Sequence, residues 1–254
     1  AIPGETVLAA GVQATPHAQA LATALGYDEL SVLRQPRVVA LITGDEVIRA
    51  GHARPGQVRD AIGPALAGQL RALGARLTLT GYLDDQREVL LGTIANTVAE
   101  VVMVTGSSSV GRTDVLRPVL EAMGAQPVVD GVDCRPGHTQ SLWRLPDDRL
   151  VVGLPGNPFA ATVALLTLVA PCCAGLLGRE PSPPRRVPIG ALRPHRGSTR
   201  LIPVRAVGEH LDPLAYTGSA MVRGLASANA LAVVPSVRCS PTEVELLALP
   251  GVNW

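Results

Sequence analysis

The feature that most narrows the fold is an alternation running from about residue 15 to 178, in which short, continuously apolar runs rich in β-branched residues are separated by segments with helical spacing. Val38-Val39-Ala40-Leu41-Ile42-Thr43 and Val101-Val102-Met103-Val104-Thr105 lack any polar alternation, as strands buried on both faces of a parallel sheet require. Between them, residues 57–73 set Val58, Ile62, Leu66, Leu70 and Leu73 on one helical face, with Gly74 as the stop. Thr15-Pro16 reads as an N-cap and first helical residue, opening a helix through Ala24 that ends at Gly26. The spacing further predicts strand 76–82, helix 86–99, helix 114–123, strand 126–130, a strand at Leu150-Val151-Val152-Gly153 and a long apolar helix over 159–177. Such a βαβ series implies an α/β, doubly wound sheet, whose ligands sit beyond the carboxyl ends of the strands.

The pattern changes at Gly178-Arg179-Glu180-Pro181-Ser182-Pro183-Pro184-Arg185-Arg186, a linker by its prolines and charges. From 187 to 250, short strand-like runs between turns predict a small, mostly-β domain, so the expected division is 1–178 and 179–254. Hydrophobic residues at 47% and charged residues at 17% exclude a disordered or charge-driven chain. Basic and acidic residues balance at 22 and 21, and aromatics are only 2%, so neither a positive field nor a base-stacking platform points to nucleic acid. Every basic residue is arginine, so any site that wants a lysine must be met by a planar guanidinium. The N-terminus lacks a basic and apolar leader pattern, and no apolar run is expected to reach the roughly 18 residues of a membrane span. The four cysteines form no C-x-x-C pair, which suits free thiols in a reducing compartment; the expectation is a cytoplasmic protein with no membrane partner.

Three strand-to-helix loops carry the chemistry. Thr105-Gly106-Ser107-Ser108-Ser109-Val110-Gly111-Arg112-Thr113-Asp114 supplies amides and hydroxyls ahead of a helix, a cradle for a phosphate or another oxyanion. It also fits a P-loop with Arg112 where lysine belongs, which keeps a nucleotide hydrolase as an alternative, beside a plain serine-rich turn. In Leu154-Pro155-Gly156-Asn157-Pro158, two prolines rigidify a Gly-Asn turn, presetting its amides and the Asn157 side chain against a ligand or simply starting a helix. Thr43-Gly44-Asp45-Glu46 could be a simple helix cap with an acidic first turn, but three such loops at the same sheet edge are harder to dismiss as local structure. His138, alone in its loop, reads as a solvated histidine or a general base.

These loops, with Gly56-Gln57-Val58-Arg59-Asp60, Asp84-Asp85, Arg135-Pro136-Gly137 and Gly218-Ser219, occur in an order that resembles the molybdopterin molybdenumtransferase family (MoeA and the gephyrin E domain). The resemblance covers nearly the whole chain, and its most specific elements are the Gly-Leu-Pro-Gly-Asn-Pro and Thr-Gly-Asp-Glu loops at their mutual spacing. It implies a MogA-like molybdopterin-binding domain followed by the small β domain. The implied reaction inserts molybdate into adenylylated molybdopterin, with magnesium, and releases AMP. It also implies a homodimer, which the apolar excess of the chain suits, and a molybdopterin adenylyltransferase as a possible partner.

Carried over position by position, the resemblance assigns Glu46, Asp60, Asp85 and Asp114 as acidic catalytic residues, with Glu46, Asp85 and Asp114 as metal ligands. Thr43, Gly44, Asp45, Thr105, Gly106, Ser107, Ser109, Gly111, Arg135, Pro155, Gly156, Asn157 and Pro158 become binding residues. The chain departs from the family pattern at Ser107, where a glycine is usual, at Arg112, where an acidic residue is usual, and at Ala61-Ile62, where a hydroxyl residue and asparagine are usual. These departures keep open a non-catalytic molybdopterin-binding or assembly module of the same fold. Residues 1–14 resemble only the end of a longer N-terminal section, so the chain is expected to be the C-terminal portion of a longer protein or a short paralogue.

Overall fold

The computed structural model describes residues 1–106, 115–180, 183–215 and 218–252. The first half contains α1 (Pro16–Ala24), β1 (Arg37–Thr43), β2 (Val47–Ile48), β3 (Val58–Arg59), α2 (Gly63–Ala72), β4 (Arg76–Leu83), α3 (Arg87–Asn96), β5 (Val101–Val104) and α4 (Leu116–Ala122). It continues with β6 (Gln126–Asp130), β7 (Cys134–Arg135), β8 (Ser141–Arg144), β9 (Leu150–Gly153) and α5 (Pro158–Leu176). The second half adds β10 (Arg185–Pro188), β11 (Thr199–Val207), β12 (His210–Pro213), α6 (Arg223–Ser227), β13 (Ala230–Val234) and β14 (Glu243–Ala248).

The first sheet has the order β4-β1-β5-β9-β8-β6. β4, β1, β5 and β9 are parallel, while β8 runs antiparallel to both β9 and β6. Because successive strand residues point to opposite faces, the unbroken apolar runs feed two cores at once. Val38, Ala40, Ile42, Val101, Met103 and Val152 pack on one face with Leu66 and Leu70 of α2 and the Ala161, Leu165 and Leu168 side of α5. Val39, Leu41, Val102, Val104 and Val151 pack on the other face with Leu90 and Ile94 of α3 and Val119 and Leu120 of α4. This is the doubly wound α/β arrangement expected. From β1 the chain crosses to β4 on one side and then to β5 on the other, so the topological switch point lies between β1 and β5.

Several boundaries differ from the sequence expectation. The helix predicted over 57–73 begins at Gly63, because Asp60 Oδ1 accepts the N–H groups of Ile62 and Gly63, each at 2.9 Å, and fixes the start there. Val58, although in helical register, is half exposed and pairs with Val47 in the short β2–β3 ladder. Helix 86–99 ends at Asn96, where Thr97 turns extended. The start predicted at 114 lies outside the described residues.

The long helix α5 corrects the membrane expectation: its 19 residues, with a mean hydropathy of 2.1, are long and apolar enough to cross a bilayer. In the fold it is a core helix, its faces divided between the first core and a cluster of Phe159, Val163 and Leu166 with Leu201, Leu231 and Leu249. A π-helical turn, Leu165–Val169, precedes Pro171, which has no N–H to donate.

The second sheet, β10-β14-β13-β11-β12, is antiparallel, over a core that includes Val187, Val204, Ala230 and Leu246. β7, from the first half of the chain, joins it by pairing in parallel with β11.

At the base of the parallel strands, Glu100 accepts from the Arg37 backbone N–H at 2.8 Å and from Arg37 Nη2 at 2.9 Å, and Arg34 Nη2 also donates to it. Desolvation opposes the ionised form, but these hydrogen bonds prevail and hold the carboxyl at about 2 instead of 4.5. The depressed value means that the stabilisation is complete above the unfolded value and is lost as pH falls through the folded one. Glu100→Gln is therefore expected to cost about 1–2 kcal/mol at neutral pH, with the deficit shrinking as pH drops from about 4.5 towards 2. Urea unfolding of both proteins at pH 7 and pH 3 measures it.

Candidate functional site

The site begins where β1 and β5 end. The Thr43 N–H donates to Thr105 Oγ1 at 3.1 Å, and the Thr43 hydroxyl donates to the Thr105 carbonyl at 2.7 Å. Both residues are buried, so each threonine hydroxyl continues the ladder where the backbone of the two strands diverges. β9 joins the same edge through the Leu154 N–H, which donates to the Val104 carbonyl at 2.7 Å.

Glycines then allow three loops to meet. At Gly106, with φ +78°, a Cβ would lie 2.7 Å from Thr43 Oγ1; at Gly44, with φ +124°, it would lie 2.9 Å from Glu46 Oε2 and from Val47 Cγ2. Gly156 faces Gly106 at ordinary van der Waals distance, where a Cβ on Gly156 would lie 3.5 Å from the Gly106 Cα.

On one side of this junction lies an acidic arm. The Asp85 N–H donates to Asp45 Oδ1 at 3.2 Å. Burial first, then the charges of Asp45 and Glu46, raise the Asp85 carboxyl above its ordinary value, against the hydrogen-bonding groups of Thr43 and Gly44. Asp45, Glu46 and Asp85 thus form one acidic group, an oxygen-only donor set whose mutual repulsion a hard cation would offset. Among the described residues, no three His, Cys, Asp or Glu side chains enclose a metal by themselves.

Asp60 is not part of this group. Its Oδ1 caps α2, and its Oδ2 accepts from the Tyr82 hydroxyl at 2.8 Å. Tyr82 in turn carries Arg49 over its ring, 4.0 Å from the centroid.

On the other side lies a cleft of about 1070 Å³ between the two sheets. Arg135, His138, Pro155, Gly156 and Asn157 line it from the first half, and His195, Ser198, Arg200 and Ser219 from the second. Arg135 and Arg200 occupy paired positions of β7 and β11, placing two guanidinium-bearing residues side by side at the wall, a demand for an anion. Asn157 is the N-cap of α5 yet makes no side-chain cap hydrogen bond. The Ser219 carbonyl accepts instead from the Phe159 N–H at 3.0 Å and the Ala160 N–H at 3.4 Å, so the second half of the chain caps the helix and the Asn157 amide is left for the cleft. Pro158 takes the first helical turn and lines a separate apolar pocket with Ala61 and Ile62.

The structure therefore brings together Thr43, Gly44, Asp45, Glu46, Asp85, Thr105, Gly106 and Gly156 at the strand edge, and Arg135, Pro155, Gly156 and Asn157 at the cleft. Ser107, Ser109, Gly111, Arg112 and Asp114 lie outside the described residues. Arg200 and His195 escaped sequence reading, since neither sits in a loop motif; only the pairing of β7 with β11 brings Arg200 beside Arg135.

Residues 39–174 match the family described as "Probable molybdopterin binding domain", and residues 190–238 match "MoeA C-terminal region (domain IV)". The chain belongs to the MoeA family. Among curated relatives, the molybdopterin molybdenumtransferase of Staphylococcus epidermidis is 26% identical over 242 residues, covering 91% of this chain and 58% of the relative. That of Nostoc sp. is 32% identical over 180 residues, covering 69% and 41%. The crystal structure of a MoeA molybdopterin biosynthesis protein from Pyrococcus horikosii superposes with a TM-score of 0.76 at 25% identity, over 96% of this chain and 61% of that one. The chain thus spans about 58% of the length of the Staphylococcus relative.

The glycine junction generates a graded prediction. Gly106→Ala, at positive φ and 2.7 Å from Thr43 Oγ1, should destabilise by about 1–3 kcal/mol. Gly156→Ala, in ordinary contact only, should stay within about 1 kcal/mol of the parent. Thermal unfolding of the two variants ranks them, and equal losses would refute the packing argument.

Proposed function

We propose that this chain acts in molybdenum cofactor biosynthesis by binding adenylylated molybdopterin and promoting insertion of molybdate into its dithiolene, with release of AMP. The observation that carries this reading is the polarity of the site: the acidic arm of Asp45, Glu46 and Asp85 and the cationic wall of Arg135 and Arg200 flank one glycine-lined junction. A substrate with a phosphoanhydride and an oxyanion to be placed beside it matches such a division.

In this reading, Arg135 and Arg200 hold phosphate oxygens, with His138 and His195 in the same lining. The Asn157 amide and the rigid Pro155-Gly156 backbone orient the pterin end. Molybdate, as substrate, sits against the amides and hydroxyls of the loop that starts at Thr105 and continues through Ser107, Ser109 and Gly111. Glu46, Asp85 and Asp114 would supply carboxylate oxygens to Mg²⁺, a hard cation that would complete its shell with water and substrate phosphate. When bound, it offsets charge as the phosphoanhydride breaks. Asp85 must be ionised to hold the ion, and burial with the charges of Asp45 and Glu46 raises its carboxyl in the metal-free chain, so magnesium affinity should fall off at a higher pH than for a free aspartate.

A division into domains at 1–178 and 179–254, a homodimer, a cytoplasmic location and a molybdopterin adenylyltransferase partner belong to the same proposal. The dimer is supported by the exposed apolar residues Leu21, Leu25, Tyr27, Leu30, Val32 and Leu33 near the N-terminus. A second reading, a non-catalytic molybdopterin-binding or assembly module, is favoured by one observation: Asp60 spends both carboxylate oxygens on α2 and Tyr82.

The deciding assay is conversion of adenylylated molybdopterin to active cofactor with magnesium and molybdate, read by reconstitution of an apo-molybdoenzyme. Asp85→Asn and Glu46→Gln should each lower turnover by about two orders of magnitude or more, with unfolding free energies changed by less than about 1 kcal/mol. Tight binding of the adenylate by the parent chain without any cofactor formed would reject the catalytic reading in favour of the second.

A further inference from the structure

Behind the cleft wall lies a buried polar chain that no part of the proposed chemistry uses. Gln140 is completely buried, and a buried amide is costly unless its donors and acceptor are met. Its Nε2 donates to Cys134 Sγ at 3.4 Å, and its Oε1 accepts from Thr167 Oγ1 at 2.6 Å, a hydroxyl shared with the Val163 carbonyl 2.9 Å away. The Cys134 thiol continues the chain by donating to the Pro136 carbonyl at 3.4 Å. Burial raises this thiol above its ordinary value, which keeps the proton it donates.

The two ends of this chain are the two walls of the cleft. At one end is the turn from Arg135 to His138; at the other is α5, whose N-terminus carries Asn157. The main chain of Gln140 reinforces the link: its N–H donates to the Gly137 carbonyl at 3.2 Å, and its carbonyl accepts from the Gly131 N–H at 3.0 Å. Gly137, at φ +103°, lies so close to α5 that a Cβ would sit 3.1 Å from Val163 Cγ1. Thr167 belongs to the π turn of α5, the local widening that offers its hydroxyl at this level of the helix.

We propose that Gln140 is a positioning residue: by tying Thr167 of α5 to Cys134 and Pro136, it sets the distance between the Arg135 turn and the Asn157 turn, and with it the grip of the cleft on a phosphate-bearing ligand. The inference rests on the reading of the cleft as an anion site. It requires no contact between Gln140 and the ligand.

The test compares the parent chain with Gln140→Met, which preserves bulk but removes the hydrogen bonds, and with Ile94→Ala, a core truncation on the far side of the sheet that lowers stability without touching the network. Inorganic pyrophosphate is the calorimetric probe, and amide hydrogen exchange over residues 132–140 is read in parallel. Gln140→Met should weaken pyrophosphate binding roughly three- to tenfold, the loss expected when one or two neutral hydrogen bonds no longer hold the geometry, and should speed exchange in the turn. Adding Thr167→Val to it should weaken binding little further, because both act through one link. Ile94→Ala should change neither reading. Unaltered affinity in Gln140→Met, or an equal loss in Ile94→Ala, overturns the proposal. If the parent chain fails to bind pyrophosphate, the anion reading of the cleft falls and the positioning role falls with it, while the exchange data still separate a turn anchored by Gln140 from one that is not.

Discussion

The reciprocal pair between Thr43 and Thr105 is the constraint on which the site depends. At the end of two parallel strands the ladder must stop, and the polar groups left there must find partners or water. Here two buried hydroxyls close the edge, and each strand can then turn sharply away. One turn leads to the acidic arm, the other to the Gly106 loop. Because Gly106 has no side chain, its backbone sits against the Thr43 hydroxyl, and Gly156 can come up on its other side. A larger residue at Gly44 or Gly106, both at positive φ, would push the loops apart, and the acidic and cationic halves would no longer share a boundary.

Much of this was legible in the sequence because it depends on local rules. The unbroken apolar runs at 38–42 and 101–104 could only be strands covered on both faces, and they are. The loops that follow such strands were the places to look for chemistry, and Thr43, Gly44, Thr105, Gly106 and Gly156 do meet there. What escaped was nonlocal or accidental. Val58 matched a helical period by coincidence, while Asp60 set the true helix start through its side chain. β8 was missed because four residues of mixed polarity carry little period of their own. Arg200 could not be connected to Arg135, since a two-residue strand from the first half of the chain that joins the second sheet has no signature in sequence.

Helix α5 shows how composition can mislead in the opposite direction. Its length and apolarity match those of a membrane span because it serves two protein cores at once, and a helix covered on most sides needs no polar stripe. The π turn at its middle places Leu165 and Leu168 in the first core and Leu166 in the cluster shared with the second sheet.

β7 has a consequence for how a ligand enters. Two residues from the first half of the chain are stitched into the second sheet, and a carbonyl from the second half caps a helix of the first. Swinging the halves apart would break both seams, so the gauge of the cleft is tied at two points. A ligand of the kind proposed for this cleft would have to fit the gap as it stands, and thickness would then join charge as a criterion of selection.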